Sequence, residues 1–188
     1  MRHHWLKALV VSVVVIAAAL PFFLPLFVNA DSWEFPPTLE ETVVDFGANK
    51  IVKVVDAREN THYPAFIVKV LGASGDVLAM YRGVSFEDFA ISEDGQVFVG
   101  ISNRGLPQTA FFALGAKGEL LFESKHQFSH LKYCDESVTL VRRWYDQEHP
   151  DVRFSYTGRD IQWLSSITVN GCDGATVDLL KVMVGKGQ

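Results

Sequence analysis

The chain has 188 residues, 48% of them hydrophobic and 21% charged, with a formal net charge of -5. After residue 30 it carries 22 acidic against 15 basic residues, an excess that argues against a nucleic-acid binder, which needs clustered Lys and Arg. The 158 residues that follow residue 30 are enough for one domain with its own core.

Residues 1–30 read as a targeting segment. Arg2 and Lys7 form a basic start, and Ala8 to Val28 contains no charge. Val28-Asn29-Ala30 before Asp31 fits a small-residue cleavage site, so a cleaved signal peptide is the favoured reading. The alternative is an uncleaved N-terminal membrane anchor, because 21 uncharged residues reach the span of a membrane helix. Pro21 and Pro25 disfavour one straight helix there. Either way the basic residues stay in the cytoplasm and residues 31–188 are exported, to the periplasm or the medium, or held outside the membrane by the anchor. If it stays uncleaved, the membrane is engaged through this segment alone.

The exported part carries an internal period. Pro64, Pro107 and Pro150 are 43 residues apart, and so are Gly72, Gly115 and Gly158. Between these markers Val68, Phe111 and Phe154 share a register, as do Val70, Ala113 and Tyr156; Leu78, Leu121 and Leu164 follow. A fixed period means one supersecondary unit built several times.

Each unit reads as four short strands. In the first, Thr42–Phe46 turns into Ile51–Val55, and Ala65–Val70 turns at Gly72-Ala-Ser-Gly75 into Val77–Tyr81. In the second, Phe86–Ile91 turns at Ser92-Glu93-Asp94-Gly95 into Gln96–Ile101. Ala110–Leu114 then turns at Gly115-Ala-Lys-Gly118 into Glu119–Glu123. In the third, His130–Cys134, Val138–Arg142, Val152–Tyr156 and Ile161–Ser165 are expected as strands. A partial fourth unit is expected from Ser166–Val169 and Thr176–Met183. Short strands separated by turn residues at even intervals argue for an all-β fold.

The stretch Asp88-Phe-Ala-Ile-Ser-Glu-Asp-Gly-Gln-Val-Phe-Val99 resembles the blade repeat of β-propeller proteins, in which each four-stranded antiparallel sheet is one blade. The resemblance covers about residues 38–184 and carries no Trp-Asp, Gly-His or double-glycine signature that would name a subfamily. It implies a propeller-like array of antiparallel four-stranded sheets, three full repeats plus a half repeat. Three and a half units fall short of the usual four to eight blades. The segment Trp33–Leu39 or a partner chain would complete the last sheet, or the array stays open. A two-sheet β-sandwich is the alternative.

Cys134-Asp135 and Cys172-Asp173 occupy equivalent places in consecutive units, which with export points to a disulfide. Candidate chemistry is sparse. His126 and His130 lie about 13 Å apart on an extended strand. A bend at Ser129 would bring them together toward a metal, with His149 or Cys134 as a further ligand. The plainer reading is two exposed histidines, and no metal or other cofactor is expected. Glu87-Asp88 are adjacent on a strand, face opposite ways, and make a poor acid–base pair. No Gly-x-Ser-x-Gly elbow is present.

The loops between second and third strands are the richest. They gather Arg58, His62, Tyr63, Arg104, Tyr145, Asp146 and His149 onto one rim, and aromatic and arginine residues dominate interface hot spots. The reading is a non-catalytic binding module of the cell envelope, whose partner is a protein or envelope component and not nucleic acid, with homo-oligomerisation open. The alternatives are a hydrolase or lyase acting on a glycan or peptide in a central cleft, and a structural subunit completing its last sheet from another chain.

Overall fold

The computed structural model describes residues 41–56, 65–105, 108–137, 141–157 and 164–184. The targeting segment and Trp33–Leu39 lie outside these residues, as do Pro64, Pro107 and Gly158.

The first sheet is an antiparallel meander of β1 (Glu41–Phe46), β2 (Asn49–Val55), β3 (Phe66–Leu71) and β4 (Val77–Arg82). The second repeats it with β5 (Asp88–Ile91), β6 (Val97–Ile101), β7 (Thr109–Gly115) and β8 (Leu120–Lys125). The period is visible in backbone geometry. At the β3–β4 turn Gly72 N–H donates to Asp76 O at 2.8 Å and Gly75 N–H to Gly72 O at 2.9 Å. At the β7–β8 turn Gly115 N–H donates to Glu119 O at 2.9 Å and Gly118 N–H to Gly115 O at 2.8 Å. Gly75 and Gly118 have φ of 86° and 84°, the left-handed region where glycine carries no steric penalty. The register slips at the same point in both hairpins, between Val70 and Leu71 and between Ala113 and Leu114.

The C-terminal part is also β, but its strands are shared out differently. Among the described residues, a two-stranded and a three-stranded sheet stand where the third four-stranded sheet and the half sheet were expected. β9 (Asp135–Glu136) pairs with β10 (Arg142–Arg143), and β11 (Arg153–Tyr156), β12 (Leu164–Asn170) and β13 (Thr176–Asp178) form a meander. The described end of the predicted last strand of the third unit and the first strand of the next run together as β12, since Ser165-Ser166 offers no Gly, Pro, Asn or Asp to turn the chain. The predicted strand Thr176–Met183 stops at Asp178 and gives way to helix α1 (Leu179–Val184). Asp178 Oδ1 accepts the N–H groups of Leu180 and Lys181 at 3.1 and 3.4 Å, the cap that starts a helix. Leu179, Val182 and Met183 then face the core at helical spacing.

The second sheet lies at the centre, and β6 and β7 are buried throughout. Successive residues alternate faces. Phe98, Phe112 and Leu114 pack with Val44, Phe46, Ile51, Val68, Val70 and Phe86 of the first sheet and its exit. Val97, Val99, Ile101, Phe111 and Ala113 pack with Trp144, Tyr145, Ile167, Val169 and Leu179. The result is three layers with two cores. Gly100 permits a close approach within the core: a Cβ there would stand 2.4 Å from the Phe112 ring and 2.9 Å from Phe86 Cβ.

The disulfide forms between Cys134 and Cys172, with a Cα–Cα distance of 6.1 Å. The two cysteine N–H groups donate to consecutive carbonyls, Cys134 to Arg143 O at 2.9 Å and Cys172 to Trp144 O at 3.0 Å. The bond therefore brackets the segment that carries Trp144 into the core.

Candidate functional site

Of the residues expected on the rim, Arg58, His62 and Tyr63 lie outside the described residues. Arg104 and Tyr145 are placed in the interior, at 5% and 0% exposure, and not on the loop surface expected of them. Both follow a buried strand or aromatic closely enough to be drawn inward. Arg104 leaves the end of β6, and Tyr145 adjoins the core residue Trp144, whose ring lies 5.0 Å away. Asp146 is half-buried and shapes its own loop, accepting the N–H groups of Glu148 and His149 at 3.0 and 3.3 Å. His149 is exposed, and its carbonyl accepts Asn170 Nδ2 at 3.0 Å.

The interior pair belongs to a charge cluster that joins all three layers. Lys53, from β2, is 8% exposed and donates its ammonium to the Phe86 carbonyl. Its Nζ lies over the Phe86 and Phe66 rings at 4.8 and 5.5 Å from their centroids. The Arg104 guanidinium stacks on Phe66 at 4.7 Å, and its Nε is 3.2 Å from Glu87 Oε1. Glu87 Oε2 accepts Asn103 N–H at 2.9 Å. The Tyr145 hydroxyl donates to Asp88 Oδ2 at 2.7 Å.

Burial displaces the titrations of this cluster from their ordinary ranges. It pushes the Glu87 carboxyl up, against the pull of the Asn103 amide and of Arg104. It pushes the Lys53 ammonium down, with Arg104 adding to the effect and Glu87 and Asp88 opposing it. Arg104 is lowered by burial and partly restored by Glu87. Tyr145 is raised by burial and then by the Glu87 and Asp88 charges, with Gln147 opposing them, so its phenol stays protonated and donates to Asp88.

Lys53, Glu87 and Asp88 were not among the expected site residues. The one legible signal was a lysine on the same strand face as the core residue Ile51. Glu87 and Asp88 work together because β5 starts irregularly. Glu87 N–H donates to Ile101 O at 2.9 Å, while Asp88 is the register partner of that same Ile101, a bulge that upsets strict alternation.

Above the cluster, Arg143, Tyr145, Asp146, Gln147, Glu148 and Cys172 line a rim cleft of about 340 Å³. Gln147 and Glu148 are exposed at its mouth, and Arg143 is held by Asp135 Oδ2 at 2.6 Å. His126 and His130 form no joint site. His126 is buried at 2% exposure, not exposed as expected, with Nδ1 3.3 Å from the Tyr133 hydroxyl; His130 faces solvent. Among the described residues no three His, Cys, Asp or Glu side chains group to hold a metal. Glu93-Asp94-Gly95 and Cys172-Asp173-Gly174 are hairpin turns, with Gly95 and Gly174 at φ of 67° and 78°.

No family model, no curated protein and no solved structure matches this chain.

Proposed function

We propose that the chain is an exported, propeller-like binding module of the cell envelope that engages a protein or envelope component through its rim. The observation that carries this reading is how the ionisable groups are divided. The groups whose titrations burial displaces in the cluster, Lys53, Glu87, Arg104 and Tyr145, are engaged with one another, with Asp88 and with backbone in the interior. They hold layers together. The solvent-facing polar groups, Gln147, Glu148 and His149, stand on a loop ordered by Asp146. An ordered loop on a rigid β scaffold is the usual form of a recognition surface. A hydrolase or lyase would need acid and base groups converging on an open cleft.

Export is supported by the Cys134–Cys172 bond, since disulfides persist in oxidising compartments. Among the described residues no helix is long and apolar enough to cross a membrane.

The test is site-specific photo-crosslinking in the native envelope, with the cross-linking group placed at Gln147 or His149. A discrete adduct that disappears in Asp146→Ala, while the protein level is unchanged, supports a rim-binding module. Monomeric protein with no adduct from either position overturns it.

A further inference from the structure

β5 has one strand neighbour, β6, and so forms an edge of the central sheet. The β5–β6 hairpin closes with Ser92 N–H donating to Val97 O at 2.9 Å. Bonded positions alternate along an antiparallel pair. Ala90 and Asp88, opposite Val99 and Ile101, therefore turn their backbone groups toward β6. The N–H and C=O groups of Phe89 and Ile91 point away from the sheet, and no described residue takes them up.

This open edge is not blunted by charge at those two positions. Phe89 remains 44% exposed although its ring stacks on Phe98 at 5.6 Å. By contrast β1, the first strand of the first sheet, carries the charged residues Glu41 and Asp45, the usual protection of an edge.

Each end of β5 meets a cleft. At its start Asp88 holds Tyr145, which lines the rim cleft. At its end Ile91 lines a second cleft of about 430 Å³ with Glu93, Val152, Arg153, Phe154 and Tyr156. Val152 and Phe154 supply a half-buried apolar wall, and Glu93 and Arg153 supply one charge of each sign. β11, which carries Arg153, Phe154 and Tyr156, is itself an edge strand of its sheet. Four residues of β5 span about 10 Å, the length of a short extended peptide.

We infer that the free edge of β5 takes up an extended peptide segment of another protein as an added strand, with one of its apolar side chains entering the Ile91–Phe154 cleft. A row of backbone donors and acceptors at strand spacing is complementary to another backbone, and pockets beside it read alternate side chains. The site is separate from the Gln147–His149 loop and stands or falls independently of it.

The test uses the full chain, labelled with nitrogen-15, and an acetylated, amidated heptapeptide Lys-Thr-Val-Thr-Val-Thr-Lys. Saturable binding is expected, with amide exchange at Phe89 and Ile91 slowed about tenfold, the equivalent of one added backbone hydrogen bond. Exchange at Ala90, already bonded to β6, stays as it was. The same peptide N-methylated at both valines leaves Phe89 and Ile91 unprotected, and Phe89→Ala weakens binding with the urea midpoint measured alongside to confirm folding. Equal binding of the N-methylated peptide overturns the inference. So does protection at β1 or β13 in place of β5, or no protection at millimolar peptide.

Discussion

The Tyr145 hydroxyl donates to Asp88 Oδ2 over 2.7 Å and so fastens the third layer to the first strand of the central sheet. The two residues are 57 positions apart in the chain. The contact sits where Glu87, Arg104 and Lys53 meet, which makes it part of a cluster that draws on every layer.

Tyr145→Phe removes the donor and leaves the shape of the ring unchanged. It should lower stability by about 1–3 kcal/mol, because Asp88 loses a bond that water replaces poorly. Urea unfolding would read this as a lower midpoint with an unchanged slope.

Arg104→Met should cost more, about 3–5 kcal/mol near neutral pH, since Glu87 is left buried without its closest cation. The loss should shrink as pH falls. Burial already raises the Glu87 pKa, and without Arg104 it rises further, so protonation relieves the variant first. A loss that stays constant from pH 7 to pH 5 would contradict this account.

His126 sets an acid limit. Burial, then Arg142, lowers its pKa from 6.5 to about 4. The folded chain keeps the ring neutral, while the unfolded chain takes up a proton below its ordinary pKa. The contribution is therefore complete above about pH 6.5 and is lost as pH falls toward 4, by about 3 kcal/mol in all. Glu87 acts in the opposite sense, because its folded-state pKa is raised. Comparing the pH dependence of unfolding in the wild type and His126→Gln isolates the histidine. The variant should decline less steeply between pH 6.5 and pH 4.

The paired substitution Cys134→Ser with Cys172→Ser should cost about 3–4 kcal/mol, from the unfolded-state entropy of a loop with a sequence separation of 38. Near-ultraviolet dichroism of Trp144 should weaken with it, because the bond brackets the backbone that holds that ring. Dithiothreitol should reproduce both effects in the wild type and neither in the variant.

Two glycines separate space from backbone conformation. Gly100→Ala puts a methyl group 2.4 Å from the Phe112 ring and should cost about 1–3 kcal/mol through overpacking. Gly75→Ala meets no atom within 4 Å but has a φ of 86°, and should cost about 1–2 kcal/mol through conformation alone. Thermal unfolding of both variants, with Phe112→Leu added to Gly100→Ala, distinguishes them. Only the packing defect should be relieved by the smaller neighbour.

Much of the fold was legible because turns and alternation are local. Gly72, Gly75, Gly115 and Gly118 mark hairpins whose hydrogen bonds close within five residues, and the period of 43 follows from them. The reading weakened after Cys134. There the division of strands depends on pairing partners far along the chain, such as Arg104 with Val141 and Tyr145 with Gly171. The switch from β13 to α1 was missed because Thr176–Met183 is rich in apolar and β-branched residues, and strand propensity is easily overridden when a cap and a helical face are available. Of the four rim residues described, Arg104 and Tyr145 proved buried for a related reason. Loop position tells that Arg104 and Tyr145 lie outside strands, but not that Phe66 and Asp88 are waiting beneath them.

By itself the amino-acid order determined an all-β repeat architecture and pointed to the cysteine pair, since the first rests on short-range spacing and the second on equivalent places in consecutive repeats. Which sheet lies at the centre, which charges are buried and neutralised, and which strand edge stays open were decided only by the tertiary structure. Those properties are set by what each face meets across the layers, and a sheet with both faces covered, like β6 and β7, can strip water from groups that come from distant parts of the chain.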